Sequence, residues 1–166
     1  AVVHGTPADA VAQPDVVITL LENGEIVEDV LFRQGTTQGL RAGALVVDMS
    51  SIQPRQARDH AARLAALGAM HLDAPVSGGT VGAEQGTLAI MAGGKASDFE
   101  RALPVFEVLG RATHVGPHGA GQLAKLANQM IVGITIGAVA EALLLCERGG
   151  ADMGKVKQAI TGGFAD

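Results

Sequence analysis

Gly116-Pro-His-Gly-Ala-Gly-Gln-Leu-Ala-Lys-Leu-Ala-Asn128 is the stretch that decides the fold. It opens the longest apolar run of the chain, which continues to about Cys146. Its three glycines allow the backbone to turn tightly and to approach another group closely. No helix breaker follows Gly121 until the pair Gly149-Gly150, so we predict a single helix of roughly 28 residues.

Lys125 falls in the first two turns of this predicted helix, and Asn128 lies three residues further along the same face. The N-terminus of a helix is a region of positive potential, and the residues that flank the lysine are apolar. Both effects disfavour the charged ammonium form, which suits Lys125 to give or take a proton. The alternative is a solvated lysine on an amphipathic helix, and this stretch by itself leaves both interpretations open.

Residues 119–124 also match G-x-G-x-x-[G/A], the fingerprint of a dinucleotide-binding loop. That fingerprint requires a second strand after the helix and an acidic residue about 20 positions further on. Here the helix is predicted to continue, and Glu141 sits inside it. We therefore do not expect a phosphate loop at this position.

Composition indicates a globular chain, because 48% of its 166 residues are hydrophobic and 17% are charged. The net charge of −5 and the absence of a basic run argue against a nucleic-acid partner. One cysteine, Cys146, fits a core role in a reducing compartment. The first residues lack the pattern of a signal peptide, so we expect a cytoplasmic protein.

The apolar run from Leu126 to Cys146 is long enough to invite a membrane interpretation. It contains Asn128, Gln129, Thr135 and Glu141, which a lipid-exposed span tolerates poorly. We expect instead a helix that is buried by protein, within a domain or between subunits.

Strands and helices alternate along the first 116 residues, which predicts an α/β fold with a doubly wound, mostly parallel sheet. Strands are predicted at 15–21, 43–48, 69–73, 87–92 and 112–115. Helices are predicted at 7–12, 24–32, 54–67, 98–109 (capped by Ser97), 121–148 and 153–161 (capped by Asp152). Residues 74–86 read as a long, glycine-rich loop, and the last residues, 162–166, form no convincing element.

Ligands of open parallel sheets bind beyond the carboxyl ends of the strands. Three groups of residues fall there, at 20–23, 49–52 and 73–79. In the last group Ser77, Gly78 and Gly79 offer a hydroxyl and closely spaced N–H groups, which suit a carboxylate. An ordinary glycine-rich turn with a local serine cap is the alternative.

Other polar residues carry weaker signals. Asp48 and Asp73, at strand ends, are expected to cap loops and not to form an acid pair. His114 and His118 straddle a turn without a second group of ligands, so we expect no metal. Cys146 has no base beside it, and we do not expect a catalytic thiol.

Several motifs, taken in order, resemble those of the β-hydroxyacid dehydrogenases. They are D-A-P-V-S-G-G at 73–79, G-T-L at 86–88 and G-x-G-x-x-x-K at 119–125. This family includes 3-hydroxyisobutyrate dehydrogenase, 2-hydroxy-3-oxopropionate (tartronate semialdehyde) reductase and the related 6-phosphogluconate dehydrogenases. The resemblance is closest to the tartronate semialdehyde reductase branch, on V-V-I-T at 16–19, V-D-M-S-S-I at 47–52 and K-L-A-N-Q at 125–129.

The resemblance implies an oxidoreductase that transfers a hydride between NAD or NADP and a small β-hydroxyacid or semialdehyde, such as tartronate semialdehyde to glycerate. By analogy Lys125 is the catalytic acid–base group. The implied binding residues are Ser77, Gly78, Gly79 and Asn128 for the substrate and Leu21, Glu22 and Ser51 for the cofactor. The same analogy implies a Rossmann-like domain over 1–116, followed over 117–166 by the long helix that begins an all-α domain. It also implies a homo-oligomer formed through the helical domain.

The sequence departs from the family pattern at several points. Glu22 stands where many relatives have proline, and Gln129 where many have asparagine. The strand and glycine-rich phosphate loop with which family members begin are not present, so we expect the middle part of a larger enzyme that is inactive alone. A truncated, non-enzymatic dimerisation or ligand-binding module is the alternative. A G-x-G-x-x-G segment roughly 50 residues upstream in the open reading frame would favour the enzyme.

Overall fold

The structure, a computed structural model, describes residues 2–163 and divides into two compact units, one up to Leu126 and one from Ala127 onward. Within the described residues the helices are α1 (Pro7–Val11), α2 (Gly24–Phe32), α3 (Thr36–Gly39), α4 (Pro54–Ala66), α5 (Gly79–Gln85), α6 (Ala96–Leu109), α7 (Ala120–Arg148) and α8 (Met153–Ile160). The strands are β1 (Val16–Thr19), β2 (Leu45–Asp48), β3 (Met70–Asp73), β4 (Val76–Ser77), β5 (Leu88–Gly94) and β6 (Gly110–Gly116).

Helix starts follow the capping residues in the sequence. The side chains of Thr6, Asn23 and Asp152 accept hydrogen bonds from backbone N–H groups in the first turns of α1, α2 and α8. The long helix α7 begins one residue before the predicted start and ends at the predicted Arg148. These local predictions are confirmed.

The sheet of the first unit has six strands and is mostly parallel, as predicted. β1, β2 and β3 pair in parallel, and β6 is parallel to β5. β5 runs antiparallel to β3 and to the short β4. The chain therefore reverses direction between β4 and β5, which the sequence pattern did not indicate.

Two local predictions were wrong, and one short helix was missed. Residues 74–86 are not one loop, because they contain β4 and α5. Ser97 does not cap α6: the N-cap residue is Lys95, and the Ser97 hydroxyl donates to Asp98 Oδ1 at 3.4 Å. The short helix α3 was not predicted. Phe164, Ala165 and Asp166, at the end of the segment expected to lack an element, lie outside the described residues.

Helices cover both faces of the sheet. One core cluster joins Leu72 of β3 to Phe106 of α6, and the other joins Val46 of β2 to Leu64 of α4. Since side chains alternate along a strand, His71 and Asp73 of β3 point to the face opposite Leu72. Val46 pairs with His71 in the parallel register, so His71 and Asp73 face the layer that contains α4.

The second unit consists of the rest of α7 and α8. By length and composition α7 is apolar enough to cross a membrane, and the most apolar part of it is not buried within the structure. Cys146 is half-buried, so it is not the core residue that the sequence suggested. Apolar side chains of both helices line a groove of about 710 Å³ within this unit.

Candidate active site

The first three strands end side by side. In the parallel register Thr19 pairs with Asp48, and Asp48 pairs with Asp73. The loops that leave β1, β2 and β3 therefore start from one edge of the sheet. This is the edge at which the sequence predicted a ligand site.

Asp48 ties the first two loops together. Its Oδ1 accepts hydrogen bonds from Thr19 Oγ1 at 2.9 Å and from the Ser50 N–H at 3.1 Å. The Leu21 N–H in turn donates to Ser50 Oγ at 2.9 Å. Burial raises the pKa of Asp48, although the hydrogen bonds from Ser50 and Thr19 oppose that shift. Asp48 caps a loop, as predicted.

Asp73 fixes the start of α7. Its Oδ1 accepts from the Gly119 N–H at 2.7 Å, and its Oδ2 accepts from the Gln122 N–H at 3.0 Å. Burial raises the pKa of Asp73 to about 6, against the opposing effect of these backbone donors. The Asp73 carboxylate thus accepts hydrogen bonds from N–H groups that a phosphate loop would offer to a phosphate. Within residues 2–163, no strand follows α7. That 119–124 is not a phosphate loop stays a prediction, which the hydrogen bonds to Asp73 support.

Gln122 is a positioning residue that was not predicted from the sequence. Its side chain is buried, with the residue 1% exposed. Its Oε1 accepts from the Ile52 N–H at 3.0 Å, and its Nε2 donates to the Ser50 carbonyl at 2.8 Å. These bonds join α7 to the loop after β2. The sequence shows only that an amide side chain stands at the start of an apolar run. It does not indicate that this amide binds Ile52, which lies 70 residues earlier.

Gly121 lets α7 approach the sheet closely. A Cβ atom built on Gly121 would fall against the carbonyl oxygens of Asp73 and Met91, far inside van der Waals contact. Gly93 of β5 is similar, since its Cβ would lie 2.7 Å from the Gly121 nitrogen. The prediction that this glycine-rich stretch permits a close backbone approach is confirmed.

Lys125 lies three residues after Gln122, about one helical turn. It is half-buried, and within the described residues its ammonium has no hydrogen-bond or ion-pair partner. The position of Lys125 is therefore set by the anchored first turn of α7, and its donor group remains available to a ligand.

The Ser77-Gly78-Gly79 segment follows β3 and leaves the same edge. Ser77 is half-buried and ends β4, where it pairs with Ala89 of β5. Gly78 and Gly79 have positive φ angles of 138° and 62°, and a Cβ on Gly79 would meet nothing within 4 Å. Open space beside Gly79 leaves its backbone accessible.

The other predicted site residues are placed as follows. Leu21 is half-buried, and Glu22 and Ser51 are exposed on the two loops that Asp48 joins. Asn128 belongs to the second unit, and its buried Oδ1 has no hydrogen-bond partner among the described residues.

Comparison with known proteins identifies the family. Residues 1–117 match the NAD-binding domain of 6-phosphogluconate dehydrogenase. Residues 119–166 match the NAD-binding domain of NADP-dependent 3-hydroxyisobutyrate dehydrogenase. The chain belongs to this family of nicotinamide dinucleotide-binding dehydrogenase domains.

Individual relatives are similar over most of the chain. The 2-hydroxy-3-oxopropionate reductase of Escherichia coli (strain K12) is 48% identical, over 91% of this chain and 52% of that protein. The 3-hydroxyisobutyrate dehydrogenase of Pseudomonas aeruginosa is 44% identical, over 90% of this chain and 52% of that protein. The structure of Mycobacterium tuberculosis 3-hydroxyisobutyrate dehydrogenase with L-serine superposes with a TM-score of 0.89 at 39% identity, over 96% of this chain and 54% of that one. The chain spans about half the length of these relatives.

Proposed function

We propose that this chain is part of an oxidoreductase that transfers a hydride between NAD or NADP and a small β-hydroxyacid or semialdehyde, such as tartronate semialdehyde to glycerate. The observation that carries the proposal is Lys125, half-buried and without a partner among residues 2–163, on a helix fixed to the carboxyl edge of the sheet by Asp73 and Gln122. Family membership and the names of the relatives support the same reaction class. A cytoplasmic location is consistent with the single cysteine.

The edge of the sheet fits the nicotinamide half of a dinucleotide. Leu20, 65% exposed, and the half-buried Leu21 present apolar surface to a flat ring, and the exposed Ser51 offers a hydroxyl for its amide. The bound cofactor supplies or accepts the hydride. The roles of Leu21, Ser51 and the exposed Glu22 are to hold and orient it beside the substrate.

The chain's own residues provide the rest of the chemistry. Ser77 Oγ and the backbone N–H groups of Gly78 and Gly79 bind the substrate carboxylate, because both glycines are exposed and the space beside Gly79 is open. Lys125 Nζ donates its proton to the carbonyl oxygen as that oxygen gains negative charge, and it takes the proton back in the oxidative direction. Asn128, whose Oδ1 lacks a partner among the described residues, binds a substrate hydroxyl.

The function is tested with protein expressed from the complete open reading frame. Oxidation of NADH or NADPH is followed with tartronate semialdehyde, and reduction of NAD or NADP with glycerate and 3-hydroxyisobutyrate. We expect turnover with at least one pair of cofactor and substrate. Absence of turnover with all of them, from folded protein, would contradict the proposal and favour a non-enzymatic module.

Ser77→Ala is expected to raise KM for the hydroxyacid about 10-fold or more and to change kcat little. The hydroxyl contributes a charge-assisted hydrogen bond to the carboxylate in both ground and transition states, and such a bond is worth about 1.5–3 kcal/mol. Steady-state kinetics in the complete enzyme measure both constants. Thr80→Ala, at an exposed position of α5, is the control. An unchanged KM would remove Ser77 from the substrate site.

We further propose that the apolar face of α7 is covered in a homo-oligomer of the complete protein. Ile134 and Leu145 are 67% and 75% exposed within the second unit, and a soluble helix rarely exposes such a surface. Ile134→Lys is expected to lower the molar mass in sedimentation, because it places a charge in the interface. Leu67→Lys, which changes an exposed leucine of the first unit, should leave the mass unchanged. An unaltered mass for Ile134→Lys would place the interface elsewhere.

A further inference from the structure

Two histidines that lie near each other in the first unit, His71 and His118, have buried ring nitrogens without hydrogen-bond partners among the described residues. His71 on β3 is 2% exposed, and neither of its ring nitrogens has a partner among the described residues. The Nδ1 of His118, in the turn before α7, is also buried without a partner. A buried imidazole nitrogen without a hydrogen bond is costly, so each of these requires an explanation.

The two histidines face each other and Asp73. His71 and Asp73 lie two positions apart on β3 and so share a face of the sheet. The turn that holds His118 folds onto this face because Asp73 binds the adjacent Gly119 N–H. The rings of His71 and His118 are 5.8 Å apart, and one nitrogen of each and one Asp73 oxygen all lie within 4.8 Å of one another.

The Asp73 carboxylate retains capacity for another ligand. Each of its oxygens accepts one backbone hydrogen bond, from Gly119 or Gln122. A carboxylate has about four lone-pair sites, and the backbone N–H groups of Asp73 and Gly121 also interact with it, so a metal would share the Asp73 oxygens with backbone donors. Those backbone bonds also hold the carboxylate in a fixed orientation, as outer partners of metal ligands do.

We propose that His71, Asp73 and His118 form a binding site for a divalent transition metal of the zinc type. Two imidazole nitrogens and a carboxylate oxygen are donors that Zn²⁺ accepts. In a tetrahedral site with bonds of about 2.1 Å, ligand atoms lie about 3.4 Å apart. The donor atoms lie within 4.8 Å of one another, so metal binding requires them to move closer together, and the fourth position remains for water.

The position of the site gives it a structural role that is separate from the proposed hydride transfer. Asp73 caps α7, and His118 lies two residues before the start of that helix. A metal held by both would connect β3 to the turn before α7. The sequence predicted no metal, because His114 is the histidine near His118 in the chain, whereas His71 lies 47 residues earlier, on a strand.

The test uses untagged protein from the complete open reading frame, freed of metal with EDTA and then titrated with ZnCl₂. We expect about one zinc bound per chain and, at zinc 100-fold above its Kd, a rise in Tm of about 5 °C. Co²⁺ in place of zinc should give the visible absorption of a tetrahedral site.

Variants assign the ligands. His71→Leu and His118→Gln should each abolish the zinc-dependent rise in Tm. His60→Leu is the matched control, because His60 on α4 is also buried with an unpartnered Nδ1 but lies outside the cluster. His118 is only half-buried, so we expect His118→Gln to stay folded. This variant therefore tests the site even if His71→Leu, at a buried position, unfolds the protein.

Two results would overturn the proposal. One is that the unaltered protein binds no zinc. The other is a zinc response in His118→Gln equal to that of the unaltered protein. In either case His71, Asp73 and His118 do not form a zinc site.

Discussion

Lys125→Met is expected to lower kcat by about 10²–10⁴-fold in the complete enzyme, because a positioned acid–base group contributes that factor. The hydride that reaches the carbonyl carbon leaves an oxyanion, and the Lys125 ammonium is the group proposed to protonate it. Methionine has a similar length but no proton to give. The affinity for NADH or NADPH should stay nearly unchanged, since Leu21 and Ser51, proposed to hold the cofactor, lie on other loops.

Lys125→Arg separates proton transfer from simple charge. A guanidinium keeps the positive charge but does not release its proton at working pH, so this variant should remain as slow as Lys125→Met. Lys95→Met, at the exposed N-cap position of α6, should retain full activity. Near-normal kcat in Lys125→Arg would show that the lysine is an electrostatic anchor and would contradict the mechanism.

Gly121→Ala is expected to destabilise the 166-residue chain by about 3 kcal/mol or more, at or above the upper end of overpacking costs. The added methyl group meets the backbone carbonyls of Asp73 and Met91. Backbone atoms of a sheet cannot move aside as a flexible side chain can. The first turn of α7 must therefore lift away, which weakens the bonds of Asp73 and Gln122. Urea denaturation measures the loss of unfolding free energy.

Gly133→Ala is the control within the same helix. A Cβ on Gly133 meets nothing within 4 Å, so alanine should stabilise the chain by about 0.5–1 kcal/mol through helix propensity. Equal effects of the two substitutions would mean that Gly121 is not needed for close packing. Gly121 would then be an ordinary helical glycine.

Local signals in the sequence predicted most elements of the fold. Pro54 and Gly68 bracket α4, and the glycines before Ala120 and after Arg148 bracket α7, because caps and breakers act within a few residues. The capping roles of Asp48 and Asp73 were also predicted, from their places at strand ends. The prediction of a single loop over 74–86 was wrong because glycines are common in loops, whereas here they lie at the two ends of helix α5.

Contacts between residues that are far apart in the sequence could not be predicted from its hydrophobic periodicity. The antiparallel pairing of β5 with β3 depends on where the chain turns after Pro75, and periodicity does not report strand direction. Gln122 reaches Ser50 across 72 positions. The meeting of His71 with His118 likewise exists only because the turn before α7 folds over β3. A single sequence carries no record of such pairs.

The anchoring of α7 by Asp73 and Gln122 has a consequence for how the protein tolerates recombination. Both anchors lie before Leu126, so Lys125 takes its place from the sheet unit and not from the residues that follow. A chimaera that joins residues up to Leu126 to the helical half of a relative should therefore keep the lysine in register. Exchange at this junction leaves the anchors of Lys125 intact, whereas the residue proposed to bind the substrate hydroxyl, Asn128, would come from the relative.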